Sequence, residues 1–140
     1  MKRNRLAIVL AVVLLSTAPV CARDDGGQKY IAPPEIVATL PKICWWLYMD
    51  NIPNTSEYNI LDCGAFSNHY CPAIVGMKKA ETEKHLGKRL DLLKQAKWDF
   101  EYTLSWTKDI PECSVRTSAM VNIQKINFEL DMIKIKLQHR

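Results

Sequence analysis

Between positions 119 and 137 the apolar residues Ala119, Ile123, Ile126, Leu130, Ile133 and Leu137 follow one another at steps of 4, 3, 4, 3 and 4. Only an α-helix brings residues so spaced onto one line. The C-terminal stretch therefore reads as one long helix, from about Pro111 to Leu137, with a narrow inward seam. A second apolar set, Val121, Phe128, Met132 and Ile135, points almost the opposite way at about 100° per residue. Polar strips separate the two sets: Arg116, Asn127, Asp131 and Lys134 on one side, Lys125, Glu129 and Lys136 on the other. A helix at the edge of a domain needs one apolar face, and this one has two. Either other helices enclose it, or its second face meets another chain.

Two further helices precede it. One is expected to start at Ser67–Asn68, both good caps. It carries Pro72 in its first turn, where proline is tolerated, and continues through Ile74, Val75, Met77 and Ala80. Gly76 inside it marks a close helix contact, because an interior glycine otherwise costs up to about 1 kcal/mol against alanine. A turn over His85–Lys88 leads to a helix from about Arg89 to Thr107. Its inner line is Leu90, Leu93, Ala96, Phe100, Thr103 and Leu104, with Trp98, Tyr102 and Trp106 as a second stripe. Asp109 and Glu112 have the spacing of a capping box for the last helix. Further upstream, Pro34 suits the opening of a short helix, with Glu35–Leu40 as one piece and Lys42–Met49 as a second. The latter is almost wholly apolar, so Trp45 and Trp46 read as core residues in preference to a ligand-stacking pair. Residues 50–68 form a loop, with a glycosylation sequon at Asn54-Thr55-Ser56 that matters only in a eukaryotic source. The expected fold class is all-α: a small helical bundle or helical-hairpin array, disulfide-tied.

The N-terminus adds a second constraint. Three basic residues in the first five, the apolar run Leu6–Leu15, and small residues Val20 and Ala22 form the order of a secretory signal cut after Ala22. A membrane anchor would need about 20 apolar residues. A lipoprotein cut before Cys21 would want smaller residues than Pro19-Val20. The expected organisation is signal peptide 1–22, flexible segment 23–34 and one helical domain 35–140. The mature protein is then periplasmic or secreted, with no integral span after cleavage. Lys2, Arg3 and Arg5 leave with the signal, so the net charge of +4 falls to 16 basic against 15 acidic residues, +1. A nucleic-acid partner needs a concentrated positive field. The clusters Lys78-Lys79 and Lys84/Lys88-Arg89 are interleaved with Glu81, Glu83 and Asp91, which suits a solvated helix surface instead.

Cleavage also removes Cys21 and leaves four cysteines: Cys44, Cys63, Cys71 and Cys113. An even number in an exported chain implies disulfides, and four allow three pairings. With three helices running up, down and up, the first and third begin at the same end. Cys63 lies just before the first and Cys113 at the start of the third, so these two can meet, which leaves Cys44 for Cys71. The competing use of Cys63, His69 and Cys71 as a zinc site matches no standard spacing. His69 is expected to make ordinary hydrogen bonds.

His69-Tyr70-Cys71-Pro72 opening a helix, then Lys79-Ala80, then Ala96, Phe100 and Thr103 on the following helix, resembles the first hairpin of exported bacterial tetratricopeptide-like proteins. The resemblance spans residues 68–104, about a third of the mature chain, and implies protein-binding scaffold work.

Catalysis needs a placed base, nucleophile or metal. The mature chain offers His69, His85 and His139. It has no Gly-x-Ser-x-Gly, His-Glu-x-x-His or glycine-rich phosphate loop. The carboxylates of Glu81 and Glu83, two apart on a helix, do not face each other. Neither enzyme chemistry nor a cofactor is expected. The sequence points to a non-enzymatic interaction protein, a subunit or adaptor of an envelope or secretion-type assembly, binding a protein partner or its own copy through Val121, Phe128, Met132 and Ile135. The alternative is a periplasmic immunity protein or inhibitor of a toxin or cell-wall hydrolase.

Overall fold

The computed structural model describes residues 30–139; the expected signal peptide and residues 23–29 lie outside them. Among the described residues the fold is all-α. Two one-turn helices, α1 (Pro34–Val37) and α2 (Trp45–Tyr48), precede three long ones: α3 (Tyr70–Thr82), α4 (Leu86–Trp106) and α5 (Arg116–Gln138). A 3-10 turn, Lys42–Cys44, runs into α2, and a 3-10 stretch, Ala65–His69, runs into α3. α4 is the centre of the packing, with α3 and α5 both laid against it.

The apolar spacing explains this packing. Leu93, Ala96, Phe100 and Thr103 of α4 are buried, as are Ala119, Ile126, Leu130 and Ile133 of α5. At Gly76 α3 and α4 approach closely: a Cβ there would lie 3.2 Å from that of Ala96. The glycine is thus a packing device, and its propensity cost is offset by close approach of the two helices.

Both disulfides join the pairs expected. Cys44–Cys71 spans 27 residues and ties the 3-10 turn that leads into α2 to the first turn of α3; Cys63–Cys113 spans 50 and ties the loop before α3 to the α4–α5 connection. Cys63 and Cys71 thereby spend their sulfurs, which removes two ligands from the zinc alternative. Two intramolecular bridges are characteristic of a non-reducing compartment.

Three helix starts differ from expectation. Ser67 and Asn68 sit inside the 3-10 stretch rather than capping α3, and the Ser67 hydroxyl donates back to the Gly64 and Ile60 carbonyls. α4 begins at Leu86, inside the stretch read as a turn. His85 is its cap: His85 Nδ1 accepts from the Lys88 amide at 3.2 Å, while the Glu83 carboxylate accepts from the His85 amide at 2.7 Å. Gly87 lies under that imidazole, where a Cβ would come within 3.1 Å of the ring. α5 begins at Arg116, so Asp109 and Glu112 form no capping box. Residues 110–115 turn instead around the Cys63–Cys113 bridge, where the Asp62 carboxylate accepts from both the amide and the hydroxyl of Ser114. Arg116 then reaches back to the end of α4, donating to the carbonyls of Leu104 and Thr107 and to the Thr107 hydroxyl. A cation at a helix C-terminus satisfies orphan carbonyls and opposes the helix dipole.

Candidate interaction surface

The inward seam of α5 stops short of its end. Arg89 and Glu129 meet at 2.8 Å between α4 and α5. The helices run antiparallel, so three more residues along α4 toward its start reach Leu86, and α5 beyond Ile133 has little to pack on. Leu137 is accordingly 46 % exposed, although its spacing assigns it to the seam.

The opposite face of α5 is open along most of its length. Val121 is 58 %, Phe128 67 %, Met132 40 % and Ile135 48 % exposed. No described element encloses this face; α5 packs on α4 with its other side. Of the two explanations for a two-faced helix, enclosure by neighbouring helices fails among the described residues. Met120 joins the exposed group from beside the expected stripe. It sits one residue before Val121, on the shoulder toward Asn127 and Asp131, so counting back from Phe128 by one step of 3 and one of 4 lands on Val121 and passes over it. Charged groups border the surface and are already engaged. Lys134 pairs with Asp131 at 3.0 Å, and Lys125 with Glu81 of α3 at 3.3 Å.

The aromatic stripe of α4 is a second partly open region. Trp98, Tyr102 and Trp106 form a chain of rings 5.4 and 6.0 Å apart, with Trp98 and Trp106 half-exposed. The stripe continues onto His69, whose ring lies 4.2 Å from that of Tyr102 and edge-on to Trp98. His69 Nδ1 bonds the buried Asp99 carboxylate at 2.7 Å, and Gln95 donates to the other Asp99 oxygen at 3.3 Å. His69 thus makes an ordinary hydrogen bond that fixes the start of α3 on α4. Trp45 and Trp46 are half-buried against the core; the Trp45 indole donates to the Leu40 carbonyl and its ring stacks on Tyr58. Asn54 of the sequon is exposed and accepts from Asn59.

Two tyrosines have hydroxyls pushed toward the neutral form. The Tyr48 hydroxyl titrates well above the usual tyrosine range, mainly through burial and further through the nearby Tyr30 and Asp99. Burial also raises the Tyr70 hydroxyl, against the opposing effect of its hydrogen bond with Ser118.

Among the described residues no helix is long and apolar enough to cross a membrane, and no cluster of three or more metal-ligating side chains forms. Comparison with family models, with curated proteins and with solved structures finds no match for the chain.

Proposed function

We propose that this is a non-enzymatic exported interaction protein, a subunit or adaptor of an envelope or secretion-type assembly, whose binding surface is the outer face of α5. The observation that carries the proposal is the exposure of Val121, Phe128, Met132 and Ile135 on a helix whose other face is buried from Ala119 to Ile133. Leaving such a row in water forgoes about 25 cal/mol per Å² of apolar surface, a cost that a partner recovers. Phe and Met suit that work: aromatic anchors dominate interface energetics, and the flexible thioether adapts to an irregular surface. Two disulfides support an exported setting, as does the charge and apolar order of residues 1–22.

Affinity recovery from the native exported fraction tests the proposal, comparing the wild-type protein with the double variant Phe128→Asp, Met132→Asp. Both should have the same melting temperature, and the double variant should lose the proteins that the wild type retains. Equal recovery by both would remove the outer face of α5 from the account.

A further inference from the structure

The other flank of α5 faces a cleft that the interaction surface does not use. α3 and α5 lie on the same side of the molecule and run in the same direction, which two cross-links show. Tyr70 Oη and Ser118 Oγ meet at 2.8 Å near the helix starts, and Glu81 and Lys125 meet at 3.3 Å further along. Between these bridges the helices leave a cleft of about 280 Å³. Ile74 and Met77 of α3 supply apolar wall, Asn122 of α5 supplies amide, and Thr39 with Pro41 forms a third wall.

Its charge balance is uneven. Lys125 is matched by Glu81 across the mouth. Lys78 also lines the cleft, is partly buried as a residue, and its side chain makes no hydrogen bond or ion pair with any described residue. A lysine stem commonly lies along apolar surface while its ammonium stays accessible to a partner. The cleft therefore carries one uncompensated ammonium beside apolar wall. Its volume is just below the range of about 300–1,000 Å³ usual for ligand pockets. A bridge at each end closes it against a chain running through. Those features together specify a ligand: small, apolar on one side, and ending in an anion.

We infer that the cleft between α3 and α5 binds a residue-sized apolar carboxylate, with the carboxylate on Lys78 and the apolar group against Ile74 and Met77. Two sources present that chemistry, a free acylated amino acid and the C-terminal residue of another chain. The site is independent of the outer face of α5, so either can fail alone.

The test is a titration followed by amide chemical shifts of the isotope-labelled protein, with four probes. These are N-acetyl-leucine, its amide, a hexapeptide ending Gly-Ser-Gly-Leu with a free carboxylate, and the same hexapeptide amidated. The acids are expected to shift the amides of Met77, Lys78 and Asn122 saturably, and the amides to bind at least about tenfold more weakly, as loss of a charge-assisted contact requires. Lys78→Met should erase the preference for acid over amide while leaving the rest of the spectrum unchanged, and Lys78→Arg should keep it. Ile74→Trp, which fills the cleft, should abolish binding of all four. A tighter hexapeptide acid would assign the site to a chain end, and a tighter N-acetyl-leucine to a free acid; either supports the site. Acids and amides binding alike, Lys78→Met leaving the preference intact, or no shift at the cleft up to 10 mM probe, on the order of the weakest useful affinities, would each overturn it.

Discussion

The two faces of α5 are built from the same kinds of side chain and meet opposite fates. Ala119, Ile126, Leu130 and Ile133 disappear into the contact with α4, whereas Val121, Phe128, Met132 and Ile135 remain in solvent. The inner face is a stability element and the outer face a surplus one. Substitution on the two faces should separate these roles. Ile126→Asp would bury a charge among apolar neighbours and should abolish cooperative folding, a loss of at least about 4 kcal/mol. Phe128→Asp, two residues on, should move stability by no more than about 0.5 kcal/mol. Urea denaturation of the two variants reads this difference directly, and comparable losses would show that the outer face is enclosed after all.

The disulfides sharpen the comparison from the other end of the domain. Replacing either pair by alanine should cost about 2–5 kcal/mol. Cys63–Cys113 closes 50 residues and Cys44–Cys71 closes 27. Chain entropy makes loss of the longer loop worse by about 0.5 kcal/mol. Denaturant midpoints under non-reducing conditions check both the sizes and the order.

Smaller effects are expected where helices approach or end. Gly76→Leu has no room beside Ala96 and should destabilise by about 1–3 kcal/mol through overpacking. Arg116→Met removes the guanidinium nitrogen that serves three acceptors at the end of α4 and should cost about 1–2 kcal/mol. Thermal melts rank the two. The alkaline limb follows from Tyr48 and Tyr70. Their folded-state hydroxyls titrate above the usual value, so the unfolded chain releases protons first as pH rises through about 10. The stability they contribute is therefore complete below pH 10 and falls above it. Absorbance at 295 nm should show that these two phenols ionise last, together with loss of fold.

What the sequence made legible follows a physical divide. Regular periodicity reported reliably on what faces what: the seam of α5, the inner line of α4, the glycine at the α3–α4 contact and, through the up-down-up order, the disulfide pairing. Helix starts were less legible because tertiary groups override local caps. His85 does the work expected of a serine or aspartate at α4. At the start of α5 the bridge through Cys113 and the carboxylate of Asp62 hold the chain, and the Asp109/Glu112 pattern is left unused. Leu137 was misplaced for a related reason. Its spacing is that of the seam, but α4 ends before reaching it, and relative helix length is not written in the apolar pattern. Met120 lay one step off the stripe, on a shoulder that is exposed only because no further element packs there. The cleft was invisible for a similar reason. It arises from three separate segments, residues 39–41, 70–81 and 118–125, and no single one carries its pattern.

The outer face of α5 is the central claim, and one measurement addresses it most directly. A photoreactive amino acid is placed at position 128 of the full chain in its native host, with the exposed α4 position 101 as the reference. After irradiation, position 128 is expected to give one discrete covalent adduct, a partner or a second copy, and position 101 none. No adduct at 128, or the same adducts from both positions, would contradict the account.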